Sequence, residues 1–260
     1  MAEAKCPKCE GTGWRPIETN GVRQVTRCDC YVTDRTTRLL QAARIPRRYE
    51  HCSFENFDNP KRNPKLAQAK LVAQRYCEEY PLDFGLLLVG PNGVGKTHLA
   101  VSVLRSLAET KGVGVRFSDF HQLLQEIQST YDPASKGSRF EVLRPILDVE
   151  IFLLDELAGL RVTDWVRETL AYIINSRYND KKITMITTTL LPRTERKTFR
   201  APSGEAVPEL EESLSQLGRT LCSRLYEMCR IVEMEGVDYR TTFKQASYVQ
   251  DWVRESGSKA

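Results

Sequence analysis

No stretch of the chain approaches the roughly 18 to 20 consecutive apolar residues that a membrane-spanning helix requires, and 28% of its residues are charged. A helical membrane protein is therefore excluded. An excess of one charge is also missing: 38 Lys and Arg stand against 34 Asp and Glu, a net +4. The whole surplus sits in residues 1–50, where ten basic residues face six acidic ones. A balance this mild permits nucleic-acid binding without arguing for it, because that argument needs clustered charge rather than totals. Collagen-like and wholly disordered compositions are excluded as well, with 41% hydrophobic residues present. No internal repeat is visible. Met1 to Lys5 lead directly into Cys6-Pro7-Lys8-Cys9 rather than into an apolar leader, so the chain is expected in the reducing cytoplasm, with no membrane partner. What remains is 260 residues, enough for one substantial domain with a smaller attachment.

The eight Cys are then thiols or metal ligands. Cys6 and Cys9 form one close pair and Cys28 and Cys30 a second, separated by a loop. A tetrahedral structural Zn²⁺ takes four soft ligands, and each pair offers two thiolates from one tight turn, with Gly11 and Gly13 letting the chain bend away. So short a segment has little else to fold around, and the metal is expected to supply most of its stability. Cys52, Cys77, Cys222 and Cys229 lack paired spacing and read as ordinary buried residues.

A short apolar run, Gly85 to Val89, leads into Gly90-Pro91-Asn92-Gly93-Val94-Gly95-Lys96-Thr97 and then a helix carrying Leu99, Val103 and Leu107. This is a Walker A loop in the strand-to-helix context it requires. Its glycines let backbone N–H groups face phosphates, the helix N-terminus adds positive potential, Lys96 reaches the β- and γ-phosphates, and Thr97 offers a hydroxyl to Mg²⁺. His98 follows as a further nucleotide-site candidate. Further on, Ile151 to Leu154 reads as a buried parallel strand ending in Asp155-Glu156, a Walker B with an extra acid. Asp155 is expected to hold the Mg²⁺ hydration shell and Glu156 to orient and deprotonate the attacking water, an effect of roughly 10²–10⁴-fold. A third strand, Ile183 to Ile186, runs into Thr187-Thr188-Thr189, whose hydroxyls can touch the γ-phosphate or its water, after a helix over Val166 to Tyr178. Strands alternating with helices, with chemistry at the strand C-termini, imply a three-layer α/β fold around a parallel sheet.

These residues, with Ile45-Pro-Arg-Arg-Tyr49, Phe54, Phe57, Arg177-Tyr178, Ser223-Arg224-Leu225 and Asp238-Tyr-Arg240, resemble the AAA+ ATPases of the DnaC/DnaI helicase-loader and IstB transposition-helper group over about Ile45 to Phe243. The N-terminal cysteine module looks like the DnaI-type arrangement. The resemblance implies an AAA+ P-loop sandwich without a separate lid domain. It divides the chain into a zinc module (1–44), a linker and leading helix (45–84), the ATPase domain (85–245) and a tail (246–260). It puts Thr189 at the sensor-1 position, where the group usually carries Asn, and Arg240 at a late sensor-2-type position. It makes Arg224 an arginine finger for self-association, with Arg177 as the competing candidate. On a helix Leu214, Leu217, Leu221 and Leu225 share one line, and Arg224 lies about 60° off it, bordering the buried stripe. The segment from Ser118 through Arg144 is where the resembling loaders contact single-stranded DNA. The expected activity is ATP-dependent loading of a replicative DNA helicase onto single-stranded DNA, with ATP, Mg²⁺ and Zn²⁺ as cofactors, the alternative being an ATPase helper of transposition. The segment 192–212, rich in charge with Pro202, Gly204 and Pro208, reads as a mobile loop.

Overall fold

The protein is represented by a computed structural model that describes residues 6–10, 12–19, 22–58, 63–132, 137–157, 163–189 and 217–242. The expected loop over 192–212 and the tail over 246–260 lie outside the described residues, as do Leu214 and Phe243.

A two-stranded hairpin, β1 (Trp14–Thr19) and β2 (Val22–Arg27), comes first and runs into helix α1 (Asp29–Ala42). Helix α2 (Pro64–Glu79) follows a single 3₁₀ turn. Then come β3 (Gly85–Val89), α3 (Lys96–Lys111), β4 (Val115–Asp119), α4 (Phe120–Ser129), α5 (Arg139–Asp148), β5 (Ile151–Asp155), α6 (Asp164–Asn179) and β6 (Ile183–Thr188). Finally α7 (Arg219–Met228) leads into β7 (Cys229–Glu233) and the four-residue α8 (Tyr239–Thr242). The helix starts follow from their sequences. Asn63 caps α2 ahead of Pro64, Asp119 caps α4 by accepting from Gln122 N, and Ser138 with Glu141 forms a reciprocal capping box on α5.

The larger sheet has the order β4-β5-β6-β3-β7, and every neighbouring pair is parallel. Its three inner strands are buried at every position, as expected of parallel strands covered on both faces. Alternate residues serve the two faces. Leu86, Leu88, Leu153 and Met185 pack with α2 and α3, whereas Leu87, Val89, Phe152, Leu154 and Ile186 pack with α4 to α7. The three-layer parallel α/β architecture is thus the one the strand–helix alternation implied. Among the described residues nothing beyond β7 forms a lid; only α8 follows.

Three features were not anticipated. The edge strand β4 alternates buried and half-exposed residues, and Arg116 within it hides its strand character. The sixth strand extends past Ile186 to Thr188, which carries Thr187 into the ladder opposite Leu88. The hairpin is the third, and it is what returns Cys28 and Cys30 to the neighbourhood of Cys6 and Cys9. Helix α1 belongs structurally with both the hairpin and the sheet. Its Leu39 and Leu40 join the core, Arg35 Nη2 donates to Gly112 O (2.9 Å), and Phe117 N of β4 donates to Ala43 O (2.7 Å). Cys52, Cys77, Cys222 and Cys229 are buried, as expected, and so are Leu217, Leu221 and Leu225.

Candidate nucleotide site and cysteine cluster

Because β6 lies between β3 and β5, the C-terminal ends of these three strands bring the glycine loop, the acid pair and the threonines to one place. The loop leaves β3 at Gly90 and enters α3 at Lys96, with Gly95 as N-cap at φ 101°. A Cβ on Gly93, whose φ is +70°, would lie 1.9 Å from the Asp238 carboxylate, so only glycine fits there. Tyr239 N donates to Gly93 O (3.1 Å), tying the start of α8 to the loop. Lys96 Nζ folds back to donate to Gly90 O and Pro91 O, each at 2.9 Å. Burial pushes its pKa down, opposed by the charges of Glu156 and Asp155.

Asp155 is 3% exposed, and its Oδ1 accepts from Thr97 Oγ1 (2.8 Å) and Thr187 Oγ1 (2.6 Å). Burial raises its carboxyl pKa, while these two hydroxyl donors pull the other way. The next residue, Glu156, is exposed and faces the cavity with φ 60°. Thr189 is half-buried on the cavity wall, and Arg240 lines it from α8. The cavity measures about 420 Å³, within the few-hundred-Å³ range of small-ligand sites. A glycine-rich turn at a helix N-terminus, with a lysine and two acids converging on it, is an anion site able to take a polyphosphate and its metal.

The sequence patterns did not reveal the rest of the cavity wall. A strap from Arg48 to Asp58 wraps over the loop, and Tyr49, Asn56 and Phe57 line the cavity beside Asn63. Phe57 lies over Gly95, 2.9 Å from where a Cβ would stand, and packs edge-on against His98 with ring centroids 5.4 Å apart. His98 Nε2 faces two acceptors, Ser53 O (3.1 Å) and Asn56 Oδ1 (2.9 Å), so the nitrogen carries the proton and the imidazole latches the strap to α3. Tyr239 OH donates to Asp58 Oδ2 (2.6 Å), joining the strap to the C-terminal turn. Burial pushes the Tyr49 phenol pKa up, with the Asp155 charge adding to the rise.

The two arginine-finger candidates differ sharply. Arg177 is 0% exposed, and its guanidinium donates to the carbonyls of Ile146, Val149, Glu150 and Ile183 and to Thr184 Oγ1. It is a clamp inside the fold and cannot reach a neighbouring subunit. Arg224 is half-buried at the edge of the α7 apolar stripe, where it donates to Asn175 Oδ1 and stands 5.3 Å from the Tyr178 ring centroid.

At the other end of the chain the hairpin brings four thiols together. Cys6 and Cys28 sulfurs are 3.9 Å apart, Cys9 and Cys30 sulfurs 3.3 Å, and all four lie within 4.8 Å of one another. Bonds of about 2.3 Å from a tetrahedral ion put sulfurs about 3.8 Å apart, so this donor set fits a metal ion of that kind. Gly13 N donates to Cys9 Sγ (3.4 Å), and Cys28 N donates to Gly13 O (2.8 Å), which closes the base of the hairpin on the cluster.

A family model described as IstB-like ATP binding protein matches residues 30–247. The chain belongs to this family. Cys6, Cys9 and Cys28 precede the match, so the cysteine module is largely an addition to the IstB-like core. The chain is 24% identical to the phage-like element PBSX protein XkdC of Bacillus subtilis, covering 94% of this chain and 84% of that one. It is 28% identical to an insertion-sequence protein of Mycobacterium tuberculosis described as ATP-binding, over 78% of this chain and 73% of that one. Its fold matches the crystal structure of the DnaC helicase loader with a TM-score of 0.58 and 31% identity, covering 73% of this chain and 99% of that one. No helix among the described residues is long and apolar enough to cross a membrane.

Proposed function

We propose that the chain is an ATPase that loads a replicative DNA helicase onto single-stranded DNA, acting in the cytoplasm. The likeness to the DnaC helicase loader, at 31% identity over 99% of that chain, carries this reading. The cysteine module, read as a zinc site, adds to it as a docking piece set ahead of the core.

Mg²⁺ would supply charge neutralisation on the phosphates, held by Thr97 and Asp155. Lys96 would exchange its two carbonyl acceptors for phosphate oxygens, whose negative charge would offset the desolvation that burial imposes on its ammonium. Glu156, exposed to the cavity, would orient a water and take its proton on the carboxylate. Thr189, just past β6, and Arg240 on α8 flank the region the terminal phosphate would occupy. Arg224 would be presented to the ATP of a neighbouring subunit, its direction fixed by Asn175 and the Tyr178 ring, in an assembly of several copies. Single-stranded DNA would meet the surface around α5, where Phe140 is 74% exposed beside Arg139 and one helical turn from Arg144. An exposed aromatic ring among basic side chains offers stacking and phosphate contacts without sequence preference.

A second reading, an ATPase helper of transposition, is favoured by the family description and by the insertion-sequence relative. Native mass spectrometry of the zinc-loaded protein with its host's replicative helicase and ATP separates the two. A complex that is lost in a Cys6→Ser/Cys9→Ser variant is the expected result. No complex under any nucleotide condition would favour the transposition helper, with a transposase as the next partner to try.

A further inference from the structure

As a strand-end residue Thr187 can offer its hydroxyl to a phosphate or its water, or simply suit the strand. The hydroxyl is instead engaged on both sides. It lies 2.6 Å from Asp155 Oδ1 and 2.9 Å from Glu156 N. An ionised carboxylate only accepts and an amide N–H only donates, so the proton direction is fixed: Thr187 Oγ1 donates to Asp155 and accepts from Glu156. The same residue's carbonyl accepts from Leu157 N at 3.0 Å. Two consecutive amides after the Walker B strand are therefore anchored on one residue of β6, which is itself 1% exposed.

This anchoring matters because of the backbone it holds. Glu156 has φ 60°, a left-handed conformation that a side chain larger than glycine's disfavours and that persists only where its surroundings fix it. The left-handed turn is what leaves Glu156 exposed at the cavity while Asp155 stays buried beneath it. Leu157, just beyond the turn, is 4% exposed and anchors the far side in the core.

We propose that Thr187 is the positioning residue for Glu156, its hydroxyl holding the left-handed turn that aims the glutamate carboxylate at the nucleotide. The inference rests on the ATPase reading given above. Thr187→Val keeps the side-chain volume and removes the hydroxyl, and Thr187→Ser keeps the hydroxyl. Steady-state ATP hydrolysis and affinity for a non-hydrolysable ATP analogue are measured for both, alone and with Glu156→Gln. A misplacement of about 1 Å can cost about 10²-fold, so Thr187→Val is expected to lower kcat by about 10- to 100-fold with analogue affinity within about threefold of the parent. Thr187→Ser is expected to restore most of the rate, and Thr187→Val is expected to cost nothing further once Glu156→Gln is present.

The inference is overturned if Thr187→Val weakens analogue binding as much as turnover, since the hydroxyl would then act through Asp155. A serine variant as slow as the valine one also overturns it, by assigning the effect to the methyl group. So does a further loss in the Glu156→Gln background. Analogue binding also reports whether the valine variant folds, and Thr187→Ala replaces it if it does not. A Glu156→Gln protein that hydrolyses ATP at the parent rate sinks the ATPase role of Glu156 itself. Slow Glu156→Gln beside fast Thr187→Val sinks only the present inference.

Discussion

In the hairpin ahead of α1, Val22 and Val25 are 56% and 67% exposed, whereas in β3 no residue from Leu86 to Val89 exceeds 1%. Both regions are short β-structures of five or six residues per strand, yet they are ordered by different means. Each fully buried aliphatic side chain of β3 contributes about 1.5–3 kcal/mol of transfer free energy, and the neighbouring strands satisfy its backbone. The hairpin has no such face: every described β2 position is exposed except the half-buried Thr26. An isolated two-stranded hairpin is marginal in water. What it has is the four-thiol cluster at its base and Arg27, whose guanidinium carbon sits 4.2 Å from the ring centroids of both Trp14 and Tyr31. One end of the molecule is held by apolar burial, and the other has in its place a thiol cluster whose spacing fits a metal ion.

Metal removal should break this comparison most visibly. Structural Zn²⁺ in finger peptides is worth about 10–16 kcal/mol of apparent binding energy, most of it folding energy. Treating the full chain with a strong chelator, or replacing Cys9 with Ser, should abolish amide-exchange protection through residues 14–27. The loss should stop within α1, where Leu39 and Leu40 join the sheet core, and the main thermal transition should stay in place. Hairpin protection that survives chelation would show that the module carries enough packing of its own.

The next effect lies inside the burial-ordered part, at Arg177, the largest buried polar side chain among the described residues. Arg177→Met fills much of the volume but leaves the carbonyls of Ile146, Val149, Glu150 and Ile183 without their donor. Leaving a buried hydrogen-bonding group without its partner costs roughly 1–3 kcal/mol, and several carbonyls lose theirs here, so a loss of about 3–5 kcal/mol is expected. For a domain of this size that amounts to a fall of about 10 °C in Tm. Thermal unfolding followed by circular dichroism checks it. A change within the error of the midpoint would mean that packing alone closes the space between α6, the end of α5 and β6.

The same contrast explains what could be read in advance. The glycine loop, Lys96, Thr97 and the Asp155-Glu156 pair were legible because their chemistry is local: residues within eight positions share one turn, and each motif follows an apolar run. The cysteine pairs were legible for the same reason. The strap was not, because its contacts are distant in the chain. His98 meets Asn56 across 42 residues and Tyr239 meets Asp58 across 181, and no spacing rule links them. Arg177 misled in a different way. A cation near the end of an amphipathic helix normally points to solvent, and only the convergence of α5, the link from α5 to β5 and the start of β6 on it supplies the carbonyls that bury it. Thr187 was noticed as a strand-end hydroxyl, but its pairing with Asp155 and Glu156 depends on β6 lying beside β5.

The smallest effect is expected beside the thiols. Lys8 Nζ is 3.1 Å from Asp29 Oδ2, and the two side chains are 62% and 60% exposed. The hydrogen bond and charge of Asp29 raise the Lys8 pKa, and Lys8 in turn lowers that of Asp29. Pairs this exposed are screened by salt and contribute little. Position nevertheless gives this one a second meaning, because Lys8 stands between Cys6 and Cys9, and Asp29 between Cys28 and Cys30. If the pair only decorates the surface, Lys8→Ala should leave zinc affinity, measured by competition with a chromophoric chelator, within about twofold of the parent at any ionic strength. Partners that orient metal ligands are worth about 10- to 100-fold in affinity. A tenfold loss that 0.5 M salt reproduces in the parent would therefore mean that the pair braces the two cysteine turns against each other, and that ligation at this end is itself held in place by charge.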